Sequence, residues 1–290
     1  MTGSDPSRDR LAGILLIVLS SVMFGCVDGF SKMLVQTASP AQIIWARYVL
    51  GIPILLLATR PAAWSSLLVT KSIGLQILRG ITPLFISFGM VLGVQHLPLA
   101  DATVILYLAP LLVVAVSAPL LHETVHRSAW IAVGVGFLAV LIVARPGLSA
   151  LSVFAGYPVM AAVFFAILQI ITRRLGERGE KPQTTLAWTL LTGGVVIMPF
   201  AIFSWNALGT GNWLEMLALG VTFGIAQLTQ IAGLARAPAS LVAPLSYVQI
   251  ISAVVFGLIV FHEWPDLWSI IGIVMIVGSG LYVVQQRRRA

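Results

Sequence analysis

The sequence is short of charge. Of its 290 residues only 9% are charged, while 59% are hydrophobic. A soluble domain carries about 25% charged residues. A chain with so few charges cannot cover a surface that faces water, so we expect lipid to be its solvent. This composition excludes an ordinary soluble enzyme and a soluble binding module.

Other features are missing as well. The single cysteine, Cys26, cannot form a disulfide within the chain. No Gly-x-x-x-x-Gly-Lys-Ser/Thr loop is present, which excludes ATP hydrolysis by this chain. The first apolar segment is longer than the core of a signal peptide and no Ala-x-Ala site follows it, so it is interpreted as a retained membrane helix. No pattern indicates a cofactor, and we expect none.

Long apolar segments are what the sequence has in abundance. A helix needs about 20 such residues to cross roughly 30 Å of hydrocarbon. The predicted spans are residues 12–34, 41–59, 73–95, 99–121, 127–145, 151–173, 184–204, 212–234, 239–261 and 266–285. The sequence therefore predicts an all-α polytopic membrane protein with ten transmembrane helices.

The basic residues predict the orientation. When the loops are assigned alternately to the two membrane faces, most of the 17 Lys and Arg residues fall on one face. The opposite face receives only Lys32, Arg47 and Arg145. Because basic loops stay in the cytoplasm, both termini are predicted to be cytoplasmic. The net charge of +7 thus needs no nucleic acid partner.

The chain contains an internal repeat. Residues 97–123 align without a gap with residues 237–263, so that Tyr107 matches Tyr247 and both segments end in His-Glu. We predict two five-helix repeats, residues 1–148 and 149–290, in one membrane unit. Because five is odd, the second repeat enters the membrane inverted, and a cavity is expected between the two halves.

One stretch, HETVH at residues 122–126, matches a zinc protease signature. The repeat argues against that interpretation, because the second copy reads HEWPD and Pro265 would break the helix that a metal site needs. An intramembrane zinc protease remains the alternative from another class, but we predict neither a metal site nor an enzyme. Glu123 and Glu263 are interpreted as caps of the helices that follow them.

The repeated segments resemble the EamA family of the drug/metabolite transporter superfamily. The residues that carry the resemblance are Pro98, Pro110, Glu123, Gly134 and Gly136, and in the second copy Pro238, Glu263, Gly272, Gly278 and Gly280. Within that family the chain is most similar to YddG-type exporters of aromatic amino acids. The resemblance implies ten helices around a central cavity and export by alternating access. Two features depart from the family pattern: His precedes each Glu, and Pro244 comes earlier in its helix than Pro110.

Charges inside the predicted spans are candidates for function. A charge in hydrocarbon costs at least about 2.5–3.5 kcal/mol. Asp28 and Lys32 lie one helical turn apart and share a face. They could bind the charged groups of a substrate, or form a structural charge network with Arg47 or Asp101. Asp28 is the candidate proton carrier, since its repeat counterpart, Gln169, cannot titrate.

Uncharged polar and aromatic residues complete the predicted site. Tyr107 and Tyr247 would suit an aromatic zwitterion, or they could pack in the core. Polar amides at membrane depth either bond between helices or line a wet cavity. The candidate cavity residues are Asp28, Tyr107, Gln169, Trp188, Gln227, Gln230, Tyr247 and Gln249. For Trp188 a headgroup-level position is the competing interpretation.

Helix breakers and small residues could allow movement. Pro110 and Pro244 each remove a backbone hydrogen bond in paired helices, so hinges are expected there. Gly25 belongs to a Gly-x-x-x-Gly segment that permits close helix contact, and it is a further candidate hinge. Two similar segments start at Gly89 and Gly220.

The leading hypothesis is a secondary active or facilitative transporter in a bacterial inner membrane. Its expected partners are the lipid bilayer and a small metabolite, first an aromatic or hydrophobic amino acid, with protons as a candidate coupling ion. A broader drug or metabolite exporter is the alternative within transport. A passive channel is a third class, although inverted repeats with helix breakers favour alternating access.

Overall fold

The computed structural model describes residues 6–109, 111–113, 127–144, 151–236 and 245–289, and within these ranges it contains helices and no strand. The helices are α1 (Pro6–Leu34), α2 (Pro40–Val49), α3 (Ile52–Leu57), α4 (Ile73–Val94), α5 (Leu99–Leu106), α6 (Arg127–Ala144), α7 (Leu151–Phe154), α8 (Gly156–Glu177), α9 (Pro182–Phe203), α10 (Thr210–Leu234), α11 (Val248–Phe261) and α12 (Leu267–Arg289). A 3₁₀ turn, Pro61–Ser66, connects α3 to α4.

Several of these helices are long enough to cross a membrane. Six described segments have the length and hydropathy of a span: Leu11–Leu34, Pro40–Leu57, Ile73–Val94, Gly156–Glu177, Pro182–Phe203 and Thr210–Leu234. Shorter apolar helices accompany them. A membrane protein with several spanning helices is therefore confirmed, and the part of the chain that the structure describes is all helical. The count of ten spans and the cytoplasmic termini stay predictions.

The second predicted span is not one continuous helix. α2 ends at Val49 and α3 begins at Ile52, with Gly51 between them. Pro53 has no N–H to bond to the preceding turn, so the helix is interrupted just before it. The fourth predicted span, 99–121, is described as α5 and a few residues beyond it, and the rest lies largely outside the described residues.

Helix packing is reciprocal between the two predicted repeats. By the repeat alignment α1, α4 and α5 correspond to α8, α10 and α11. α1 packs against α10 and α11, and α8 packs against their counterparts α4 and α5. α6 packs against its own counterpart, α12, and α2 against α9. The halves thus meet along a shared seam, to which α1, α4, α8 and α10 contribute most.

Glycines allow the closest of these contacts. A Cβ on Gly89 would lie 2.5 Å from the carbonyl oxygen of Tyr157 on α8. Gly220 lies equally close to α2. The predicted close packing of the Gly-x-x-x-Gly segments is thereby confirmed. A Cβ on Gly25 would collide with the Ser252 side chain on α11, so Gly25 is a tight packing position, and its hinge role stays a prediction.

The helix connections cluster at two ends of the bundle. At the end where α1 finishes, Asn212 donates from Nδ2 to Thr37 Oγ1 over 3.0 Å. At the end where α4 begins, Arg178 donates from Nη1 to Ser72 Oγ over 3.1 Å. Between the ends the outer surface is apolar, as Val195 in the middle of α9 with 64% exposure illustrates. Such a surface suits contact with lipid.

Candidate functional site

A narrow cleft lies along the seam between the two halves. It runs beside α1, and a second, smaller space next to it reaches Ile17. Phe24, Gln230 and Gln249 line both spaces. The polar residues of the larger space are Asp28, Arg47, Ser87, Gln227, Gln230 and Gln249.

A chain of hydrogen bonds connects the two halves across this cleft. The Tyr107 hydroxyl, just after α5, donates to Gln249 Oε1 over 3.0 Å. Gln249, on α11, donates from Nε2 to Asp28 Oδ2 on α1 over 3.0 Å. All three residues are buried. The carboxylate of Asp28 is therefore held in place by a residue of the other half.

Arg47 approaches the same carboxylate from α2. Its Nη2 lies 3.8 Å from Asp28 Oδ1. The guanidinium also donates to Ser31 Oγ over 2.6 Å and to Ser87 Oγ over 3.1 Å, while its Nε has no partner. Asp28 thus has a buried cation beside it, which reduces the cost of its charge away from water.

Arg79 was not predicted as part of the site. Counting basic residues assigned it to the cytoplasmic face, yet its side chain is fully buried in α4. It donates to Thr172 Oγ1, to Thr189 Oγ1 and, over 3.4 Å, to Gln227 Oε1. The available signal was its position inside the predicted span 73–95, because an ionisable residue at membrane depth indicates function.

Lys32 and Glu263 lie about one turn of α1 beyond Asp28. Their ion pair joins α1 to the segment after α11. Glu263 also accepts from the Leu99 backbone N–H over 3.2 Å, and Lys32 donates to the Leu97 carbonyl over 3.2 Å. Glu263 therefore caps α5 of the other half, which corrects the expected cap of its own following helix. At that helix, Asp266 accepts from the Ser269 backbone N–H over 2.9 Å.

The residues of the predicted charge network make contacts in three places. Lys32 pairs with Glu263 and not with Asp28, although the two share a helix face. Asp101, on α5, bonds to the Ser269 hydroxyl on α12. Long lysine side chains extend toward the ends of a helix, whereas the short Asp28 side chain stays at its own depth. Lys32 therefore contacts a different carboxylate from the one expected, and a charge network that includes Arg47 or Asp101 stays a prediction.

Aromatic rings form much of the apolar wall. Phe24 and Phe223 make an edge-on contact with centroids 6.4 Å apart, and Phe165 lines the same cleft. The ring of Tyr247 contacts the ring of Tyr107 with centroids 5.4 Å apart. Apolar rings and the Asp28 network thus line the same cleft.

The remaining predicted residues have different positions. Gln169 lines the smaller space. Trp188 lies near a connection, where its Nε1 donates to the Leu68 carbonyl over 3.2 Å. It is therefore placed with the surface loops and away from the cleft. Pro110, Pro244 and the HETVH stretch lie outside the described residues.

Comparison with known families gives a match over both halves of the chain. The model of the EamA-like transporter family matches residues 11–145 and again residues 153–285. The two matched ranges fall on either side of the predicted repeat boundary.

Known relatives carry different substrates. The chain is 27% identical over 271 residues to a pseudopaline exporter, CntI, of Pseudomonas aeruginosa, covering 92% of this chain and 93% of the relative. It is 23% identical over 287 residues to an S-adenosylmethionine uptake transporter of Rickettsia conorii, covering 99% and 97%. A solved crystal structure with 19% identity superimposes with a TM-score of 0.69 over 98% of both chains, which supports the fold.

Proposed function

The chain belongs to the EamA-like transporter family, and from that premise we propose that it carries a small zwitterionic metabolite through the seam cleft by alternating access. The first candidate substrates are aromatic and hydrophobic amino acids. The observation that carries the proposal is the Tyr107–Gln249–Asp28 hydrogen-bond chain, which joins the two halves at the cleft. A substrate that displaces or extends these hydrogen bonds would change contacts in both halves at once.

The cleft suits a molecule with one polar and one apolar end. Asp28 Oδ1 lies 3.8 Å from its cation, so it keeps room to accept a hydrogen bond from a substrate ammonium group. Phe24, Phe165 and Phe223 offer apolar surface for a side chain. Pockets of this kind usually combine apolar walls with a few oriented polar groups.

Alternating access requires that one end of the cleft be closed at a time. The Lys32–Glu263 ion pair lies one turn of α1 beyond Asp28, and the cleft extends from Asp28 in the opposite direction, toward Ile17. With the N-terminus in the cytoplasm, this state would be closed on the outside. The reciprocal packing of α1 on α10 and α8 on α4 supports two inverted halves that rock against each other.

The driving force would be a gradient. In a facilitative carrier, net movement follows the substrate gradient, and accumulation in the cytoplasm would produce export. Asp28 is the candidate for proton coupling, because its counterpart Gln169 lines the cleft without titrating. The chain is a multi-pass membrane protein, and its bacterial relatives favour the inner membrane.

A broader metabolite range is the second candidate. Relatives that cover nearly the whole chain are named for substrates as different as pseudopaline and S-adenosylmethionine. Much of the cleft wall is apolar side chain, including Met90, whose unbranched thioether adapts to ligands of different shape.

Uptake of radiolabelled phenylalanine into proteoliposomes, with and without a pH gradient, tests the proposal. We expect saturable uptake by the wild-type protein and a loss of about tenfold or more in D28N, because a charge-assisted contact is removed. A pH gradient that stimulates the wild type and not D28N would assign proton coupling to Asp28. Equal uptake by D28N and wild type would contradict the role of this site.

A further inference from the structure

Arg79 is a buried cation whose contacts are all to neutral groups. It has no exposed surface, and its three hydrogen bonds go to two threonine hydroxyls and to Gln227. No carboxylate among the described residues contacts it. A buried charge without a counter-charge is costly. A charged residue at membrane depth that lacks a counter-charge is therefore a candidate for ligand recognition.

The surroundings of the cleft are therefore more basic than acidic. Asp28 and Arg47 line the cleft together and offset each other. Arg79 donates a hydrogen bond to the cleft residue Gln227 and adds a second cation. Among the described residues, no second acidic side chain contacts the polar groups of the cleft and balances the positive charge of Arg79. The cleft is thus electrostatically suited to a ligand that brings a negative charge.

Hydrogen-bond donors are available at the same place. Gln227 accepts from Arg79 through Oε1, which turns its Nε2 donor away from Arg79. Gln227 lines the cleft with 2% exposure. The Nε of Arg47, also on a cleft residue, has no partner. The unsatisfied, buried Nε of Arg47 favours an acceptor that the protein itself does not supply.

We propose that Gln227 and Arg47 bind the ionised carboxylate of the substrate, and that Arg79 is a positioning residue that orients Gln227 and supplies the compensating charge. The inference rests on the proposed transport function and deepens it by naming the substrate group that this part of the cleft recognises. Zwitterions and anions with a carboxylate are accepted. Amides and esters of the same skeleton, which keep only the ammonium charge, are discriminated against.

The repeat shows that this charge belongs to one half only. The position aligned with Arg79 is Leu219, in the middle of α10, and the position aligned with Asp28 is Gln169. A structural need common to both halves would place similar residues at both positions. The asymmetry fits a ligand that binds with its charged end toward the α2 and α4 side of the cleft.

A matched pair of probes tests the proposal. L-phenylalanine and L-phenylalaninamide differ only at the carboxylate, and their apparent affinities follow from the concentration dependence of the melting temperature of the purified full-length protein in detergent. We expect phenylalanine to bind the wild type about 10- to 100-fold more tightly than the amide. R79Q should lose most of that ratio, whereas R79K, which keeps the charge but not the planar fork, should keep part of it.

Two further variants make the test decisive. Q227L removes the donor but leaves Arg79, and it should also lower the ratio. K71Q alters an exposed side chain just before α4 and should leave it unchanged. If R79Q does not fold, R79K and Q227L decide the question: a wild-type ratio in R79K would contradict the positioning role of Arg79, and a wild-type ratio in Q227L would contradict carboxylate binding by Gln227.

The outcomes separate the two proposals. Transport of phenylalanine with equal binding of its amide would overturn the carboxylate site and leave the transport function standing. Preferential binding of phenylalanine without any transport in proteoliposomes would overturn the transport function and leave the carboxylate site standing. Binding of neither probe to the wild-type protein would count against both.

Discussion

Lys32 and Glu263 form an ion pair that ties α1 of the first half to the segment after α11 of the second. Their side chains are 12% and 33% exposed, so the pair is partly shielded from solvent. Glu263 also accepts a hydrogen bond from the Leu99 N–H at the start of α5, and Lys32 donates one to the Leu97 carbonyl just before it. In an alternating-access cycle this contact must break before the cleft can open at this end.

The first prediction concerns this ion pair. K32E and E263K should each slow phenylalanine exchange by roughly 3- to 10-fold, because each places two like charges together and hinders closure of this end, and contacting residues couple by about 0.5–3 kcal/mol. The charge-swapped double variant K32E/E263K should exchange faster than either single variant. Exchange rates in proteoliposomes measure this, with R60Q, at an exposed loop position, as the control. Purely additive losses in the double variant would show that the two residues do not act as a pair.

The second prediction compares the two tyrosines of the repeat. Y107F keeps the ring but removes the hydrogen bond to Gln249, which releases the amide that holds Asp28. We expect an affinity loss of about 3- to 10-fold, as for a neutral hydrogen bond of roughly 1 kcal/mol. Y247F, whose ring contacts Tyr107, should have the smaller effect. The half-saturation concentration for phenylalanine uptake measures both, and equal losses would argue against a special role of Tyr107.

The third prediction concerns close packing between the halves. G89A places a Cβ 2.5 Å from the Tyr157 carbonyl oxygen, so it should destabilise the protein by about 1–3 kcal/mol. G74A, on the same helix, meets no atom within 4 Å and should be neutral or slightly stabilising. Thermal unfolding in detergent compares the two. A G89A protein as stable as G74A would mean that α4 and α8 can separate at little cost.

The fourth prediction concerns membrane orientation. Ser65 and Ala207 are exposed in connections that the repeat makes equivalent. With inverted halves, single cysteines at these two positions in a C26A background should react with an impermeant thiol reagent from opposite sides of the membrane. Ser65 is expected on the cytoplasmic side. Labelling of both positions from the same side would contradict the inverted topology.

Much of the fold could be predicted from the sequence because lipid imposes strict conditions on a chain. Apolar runs of about 20 residues can only be helices when they cross a membrane. Polar residues within such runs need partners, which is why Asp28, Gln227 and Gln249 could be selected before their contacts were known. The Gly-x-x-x-Gly segments likewise indicated where helices approach closely.

Other features depend on tertiary geometry, which the spacing of residues in the sequence does not predict. The i, i+4 spacing put Asp28 and Lys32 on one face, but the reach of the lysine side chain took it to Glu263, far away in the sequence. Arg79 was counted with the loops because the orientation rule counts every basic residue near a span end. Its buried side chain bonds to Thr172 and Thr189 on two other helices, and no local sequence pattern predicts these contacts.

The most direct test of the account is a counterflow experiment. Proteoliposomes that contain the purified protein and unlabelled phenylalanine are diluted into labelled phenylalanine, and the internal label is followed with time. A carrier that exposes its site alternately should accumulate label transiently above its final equilibrium level, and D28N should not. Equilibration of the label without an overshoot in the wild type would identify a channel and contradict alternating access through this cleft.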